Sequence, residues 1–185
     1  MMKKYSKLLF LVSILYTQNT VSDDIISFIE ELDNKTIILS MESLENQTKL
    51  SISGEQIYFD TFSENKSIIL IENNEVRTYD FNNQLIIIES ADETLLDVFN
   101  KGELSRYNMT EINNEESISL VTYTLGSKLL LIGFDNISKQ ILSLQIQDEG
   151  VSLFETKIVD IIDFDVPLIS NNFDSWEVLD WRDVN

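Results

Sequence analysis

Residues 128–164, KLLLIGFDNISKQILSLQIQDEGVSLFETKIVDIIDF, are the stretch whose reading decides the fold. Three apolar runs are separated by two polar breaks, Asp135–Lys139 and Gln147–Gly150. From Ile141 to Asp148 the residues alternate, with Leu142, Leu144 and Ile146 against Ser143, Gln145 and Gln147. Period-two alternation between short polar breaks marks antiparallel strands with one buried face. The rest of the chain has to be fitted around this meander.

The same reading extends toward the N-terminus. Apolar or alternating runs at 36–44, 49–53, 56–62, 67–72, 75–81 and 84–89 predict six more short strands. Gly54, Asn73-Asn74 and Asn82-Asn83 supply the turns between them. In two of these runs Ile69 and Ile71 alternate with Ile68 and Leu70, and Ile86 and Ile88 with Leu85 and Ile87. Strands apolar on both faces need something apolar on each side. A second layer of structure and a ligand cavity both satisfy that need.

Two helices are predicted. Ile25, Phe28, Ile29 and Leu32 form an i, i+3, i+4, i+7 stripe over 23–32. Ser90 to Glu93 has the form of a capping box, opening a helix with Leu95, Leu96 and Phe99 on one face and Gly102 at its end. The polar stretch 104–116 is ambiguous, with an edge strand around Tyr107 and Met109 as one reading, and 117–125 is a strand. After Pro167 the chain is irregular until 173–181, FDSWEVLDW, which reads as a last strand.

Residues 1–7 are basic and 8–16, LLFLVSILY, are mostly apolar, followed by small residues at Thr20 and Ser22. This pattern predicts a secretory signal peptide over 1–22, cleaved after Ser22, ahead of a single domain over 23–185. The apolar run falls short of the roughly 20 residues of a spanning helix. A soluble product outside the inner membrane is expected, and with no cysteine it carries no lipid of its own.

The 185 residues hold 32 acidic and 13 basic side chains, for a net charge of −19. Setting aside Lys3, Lys4 and Lys7 leaves 10 basic against 32 acidic residues, or −22. Such a surface repels phosphate backbones, so no nucleic-acid partner is expected. With neither cysteine nor histidine, thiol chemistry, histidine-based triads and the usual zinc ligand sets are excluded.

The order of these elements resembles that of the periplasmic lipoprotein carriers of the LolA family, which also covers the receptor LolB. A signal peptide leads directly into a short amphipathic helix. The strand ending in Tyr79-Asp80 is similar to the family's W-x-Y-D segment, and Ser90–Phe99 stands where the family has a helix. The stretch LIGFDNISKQILSLQIQDEGVSLFETKI, from Leu131, is similar to the family's hairpin, with a proline segment and a terminal strand beyond it. Two features depart from the pattern. Residues 54–63, GEQIYFDTFS, lack the family's Arg-Pro pair, whose arginine holds the lid, and Arg77 stands in place of the tryptophan.

The resemblance implies a mainly β fold with α (α+β), an incomplete antiparallel half-barrel covered by short helices. It implies a non-enzymatic, monomeric periplasmic carrier without cofactor or metal. Such a carrier takes lipoprotein acyl chains from an inner-membrane release complex to an outer-membrane acceptor. The candidates for the acyl-chain cavity are Ile29, Leu39, Met41, Ile57, Phe59, Ile69, Ile71, Tyr79, Ile86, Ile88, Leu95, Leu96, Phe99, Leu144 and Ile146. Arg77, sharing a strand face with Tyr79 and Phe81, is the candidate lid latch. Three buried acyl chains at about 0.8 kcal/mol per methylene would exceed the roughly 20 kcal/mol ceiling of non-covalent binding. Partial exposure of the cargo and a movable lid are therefore expected.

The alternative reading is an acidic, β-rich interaction or assembly module with a packed core and no cavity. Asp160, Asp163 and Asp165 are spaced like cation ligands but lack the glycine-centred loop of a calcium site. Carboxylate pairs are too numerous to nominate a general acid and base for a glycosidase.

Overall fold

The computed structural model describes residues 20–41, 47–54, 56–61, 67–73, 75–90, 99, 104–165 and 173–182. One continuous helix, α1 (20–31), precedes the strands. Six of these form a first meander: β1 (Lys35–Ser40), β2 (Thr48–Ser53), β3 (Gln56–Thr61), β4 (Ser67–Glu72), β5 (Glu75–Asp80) and β6 (Leu85–Ser90). Five longer ones form a second: β7 (Asn108–Glu115), β8 (Ile118–Leu125), β9 (Lys128–Asp135), β10 (Gln140–Asp148) and β11 (Val151–Asp163). A short last strand, β12 (Glu177–Asp180), follows.

All twelve belong to one sheet, ordered β12-β6-β5-β4-β3-β2-β1-β11-β10-β9-β8-β7. The two meanders join at its centre, where β1 pairs antiparallel with β11 and Lys35 stands opposite Asp163. β12 adds to β6 in parallel, with Glu177 opposite Leu85 and Asp180 opposite Ile88.

This architecture corrects the expected fold class. The molecule is an open, mixed sheet and essentially all-β, in place of an α+β half-barrel covered by short helices. Tight turns explain why the described strands of each meander follow one another without intervening helices. Glu149 and Gly150 (φ 50° and 81°) turn β10 directly into β11, as a two-residue primed turn requires. The second predicted helix lies mostly at 91–98, outside the described residues.

The described part of α1 starts at Thr20, so Thr20–Ser22, expected to precede signal cleavage, lie within the helix. It ends before Asn34, whose φ of 58° is the left-handed conformation asparagine tolerates at a helix end. Its stripe, Ile25, Phe28, Ile29 and Leu32, is buried in one cluster with Ile37 and Leu39 of β1, Leu50 and Ile52 of β2, and Ile57 and Phe59 of β3. From the second meander the same cluster takes Val121, Tyr123, Leu130, Ile132, Phe134, Ile141, Leu144, Ile146 and Phe154.

Bulges adjust which residues reach this face. In β10 the register shifts between Ile141 and Ser143, so Ile141, opposite Phe134, joins Leu144 and Ile146 inside. Leu142, which simple alternation would place with them, is the extra residue of the bulge. The predicted edge strand in the polar stretch is β7, at one end of the sheet.

The opposite face carries a strap made by the C-terminal chain. Beyond β11, the Asp165 amide donates to Thr36 Oγ1 (2.9 Å), and Ser51 Oγ donates to the Asp165 carbonyl (3.2 Å). The Asp165 carboxylate pairs with Lys49. Phe164 meets Tyr58 edge-on, with ring centroids 6.3 Å apart. Further along, Phe173 lies on Tyr79 (5.1 Å) and Trp176 stands edge-on to Phe81 (5.3 Å). These rings cover a second, smaller cluster built on Ile68, Leu70 and Tyr79.

Candidate functional site

Strand register sorts the candidate residues between the two faces. Successive cross-strand partners share a face. Ile37 opposes Leu50, Leu50 opposes Phe59, Phe59 opposes Ile69 and Ile69 opposes Thr78. Of the cavity candidates, Ile29, Leu39, Ile57, Phe59, Ile71, Phe99, Leu144 and Ile146 are buried in the α1-face cluster, with Met41 and Ile69 packed against it. Leu95 and Leu96 lie outside the described residues.

Tyr79, Ile86, Ile88 and Arg77 go to the other face. Tyr79 opposes Ile68 and Ile86, and Arg77 opposes Leu70 and Ile88. Tyr79 is buried and Ile86 half-buried beneath the strap. The latch reading of Arg77 is corrected: its side chain is exposed, away from α1, and its Nε donates to Glu75. Period two groups Arg77 with Tyr79 and Phe81 but cannot say which face α1 takes.

On the α1 face the helix sits over the second meander and the start of β1. Tyr123 Oη lies 3.4 Å from Ser22 Oγ, and Lys139 Nζ donates to Asp24 (2.7 Å) from the turn between β9 and β10. Burial raises the Tyr123 hydroxyl pKa. Beside the C-terminal half of α1 lies an open cleft of about 490 Å³. Phe28, Leu32 and Ile161 give it an apolar side, while Asp24, Glu31, Lys35 and Lys139 line it with charge. Lys35 pairs with Asp163 (2.8 Å) and holds that carboxyl below its ordinary pKa.

The reach of α1 is limited by its size. A helix of about 10 Å diameter covers two or three strands spaced about 4.8 Å apart. At the far end of the same face, Val76, Leu85, Ile87 and Ile69 remain partly exposed. Sequence reasoning named Ile69 but missed Val76, Leu85 and Ile87, which alternation had left on the unassigned face of their strands.

The three aspartates of the cation-like spacing diverge: Asp163 pairs with Lys35, Asp165 with Lys49, and Asp160 accepts from the Ile161 amide. Among the described residues no three acidic side chains come together as a metal site.

The fold and this two-faced arrangement define the class: an open-sheet β protein with, among the described residues, α1 on one face and a strap on the other. No family model matches the chain, and no curated protein matches it. Among solved structures it is similar to an uncharacterized conserved protein from Thermus thermophilus, at 10% identity and a TM-score of 0.52. That match covers 86% of this chain and 98% of the other, and it concerns the fold alone. A match to PNGF-II has 13% identity and a TM-score of 0.42, over 81% of this chain and 31% of that one.

Proposed function

We propose that this protein is a periplasmic carrier that holds lipoprotein acyl chains against the α1 face of its sheet, passing them from an inner-membrane release complex to an outer-membrane acceptor. The observation that carries the reading is the apolar surface that α1 leaves partly uncovered at Ile69, Val76, Leu85 and Ile87. The resemblance of the sequence to LolA-type carriers supports the choice of cargo. An acyl chain needs apolar contact along its length and no catalytic group, and a partly open face allows release. A charged side chain within this surface would oppose an apolar ligand.

The packed-core interaction module is the second reading, favoured by the complete burial of Ile25 of α1 together with Ile37, Leu39 and Leu50 of the strands it packs on. Binding of a palmitoylated peptide and its deacylated twin to full-length protein, followed by calorimetry, separates the two. The carrier reading expects the acylated peptide alone to bind, and Ile87→Asp to weaken it at least tenfold while the melting temperature changes little. Equal binding of both peptides, or of neither, overturns it in favour of the packed module.

A further inference from the structure

The strap is held at two ends of its described course, and its last part serves as a strand. Glu177 N donates to Gln84 O (3.1 Å) and Trp181 N to Ile88 O (2.8 Å), so β12 covers the free edge of β6. Arg182 bonds both Asp180, within the strap, and Glu75 on β5 (2.6 Å). That edge needs cover. The strand beneath it reads LIIIES, and an apolar, unpaired edge is a template for another chain. At the other end of the sheet, β7 reads NMTEINNE, and its polar and acidic side chains discourage such pairing.

The cover is nevertheless light. β12 is four residues long and is the only parallel pairing among the described strands. Phe173 and Trp176 are only half-buried, and Val178 and Trp181 are 53% and 48% exposed. Each backbone hydrogen bond contributes about 0.5–1.5 kcal/mol net, so this segment belongs to the low end of local stability.

We propose that the β6 edge, together with the Tyr79–Phe81 seat, is an interaction surface filled here by the molecule's own strap and open to the strap of a second copy. The chemistry of the seat selects that occupant. Buried Tyr79 in β5 and half-buried Phe81 just beyond its end receive two rings spaced three residues apart, while Glu75 receives an arginine six residues beyond the second ring. A second copy brings the same rings, strand register and arginine, and two copies can exchange them symmetrically. Competition favours the attached strap, because a tethered segment acts at millimolar effective concentration. A net charge of −19 on each copy opposes their approach at low salt, and screening relieves it. Exchange therefore rises with both protein concentration and ionic strength. The surface is independent of what the α1 face holds.

The test uses the full chain and a labelled peptide, FDSWEVLDWR, copied from residues 173–182. By fluorescence anisotropy the peptide should bind the Trp176→Ala protein at least tenfold more tightly than the wild type, because the seat is intact and its tethered competitor is weakened. Arg182→Ala, which leaves the rings in place, should give a smaller gain and guards against a folding defect in the first variant. A scrambled peptide should not bind. Light scattering of the wild type at rising concentration in about 0.5 M salt, where the Debye length is under about 8 Å, should then show a dimer fraction that Trp176→Ala lacks. No peptide binding to either variant overturns the seat. Peptide binding with a wild type that stays monomeric under every condition overturns the second copy as its occupant.

Discussion

The two meanders bury their strands differently. In β8–β11 the strands are long and largely one-sided: Leu130, Ile132 and Phe134 are enclosed, while Leu129 and Leu131 on the other face stay partly exposed. In β4 both faces are apolar, with Ile71 in the α1-face cluster and Ile68 and Leu70 under the strap. One meander is therefore anchored by a single thick core, and the other is sandwiched between a shared core and a light cover. Stability should concentrate in the first, and local opening in the second.

Phe134→Ala tests the first half of that statement with the largest expected effect. Phe134 is fully enclosed, 0% exposed, and deleting such a ring typically costs about 3–5 kcal/mol. Urea unfolding followed by circular dichroism should show that loss. A loss under about 1 kcal/mol, well below what core ring deletions give, would place the stability centre elsewhere.

Acid should separate the two regions. Both tryptophans, Trp176 and Trp181, lie in the strap, so their fluorescence reports it selectively. Asp180, bonded by Arg182, has its pKa lowered from 3.8 to about 2. A carboxyl with a depressed folded pKa contributes stability above its unfolded pKa, and that contribution disappears as pH falls through the folded value. Asp80, bonded by Asn83 and the Asn82 amide in the turn after β5, is lowered too and acts in the same direction. Tryptophan emission should therefore shift between about pH 4, near the ordinary carboxyl pKa, and pH 2, ahead of the change in circular dichroism. Coincident transitions would mean that strap and sheet open as one unit. Asp135 and Asp163, also lowered, limit how far the second meander can lag.

The smallest effect is expected at Arg77. Its side chain is exposed and Glu75 keeps Arg182 as a partner, so Arg77→Leu should change stability by no more than about 0.5 kcal/mol. Acylated-peptide binding should not change at all. A large drop in that binding would return Arg77 to the site and contradict its placement on the strap face.

The α1 stripe and most strands were legible because each is a local pattern. Ile25, Phe28, Ile29 and Leu32 repeat at helical spacing, and the hairpins are marked by glycine, asparagine and short polar breaks. The doubly apolar β4 correctly demanded a partner on each side. What that partner was stayed hidden: on the face of Ile68, Leu70 and Tyr79 it is the chain's own Phe173 and Trp176, about a hundred residues away. Leu142 was misplaced because a bulge shifts period two by one residue, and nothing in the alternation announces the bulge.

The sequence by itself determined the secondary-structure alphabet of this protein, its acidic charge and the chemistries it lacks, since these follow from residue type and spacing of a few positions. Only the tertiary structure decided that β1 meets β11, that β12 joins β6 in parallel, and that Arg77 and Tyr79 turn away from α1. Those choices join segments from about ninety to over a hundred residues apart, or select between two faces that are equivalent until a helix packs on one of them. Period and propensity act within a strand. Which face is inside is settled by the sum of apolar contacts across the whole sheet.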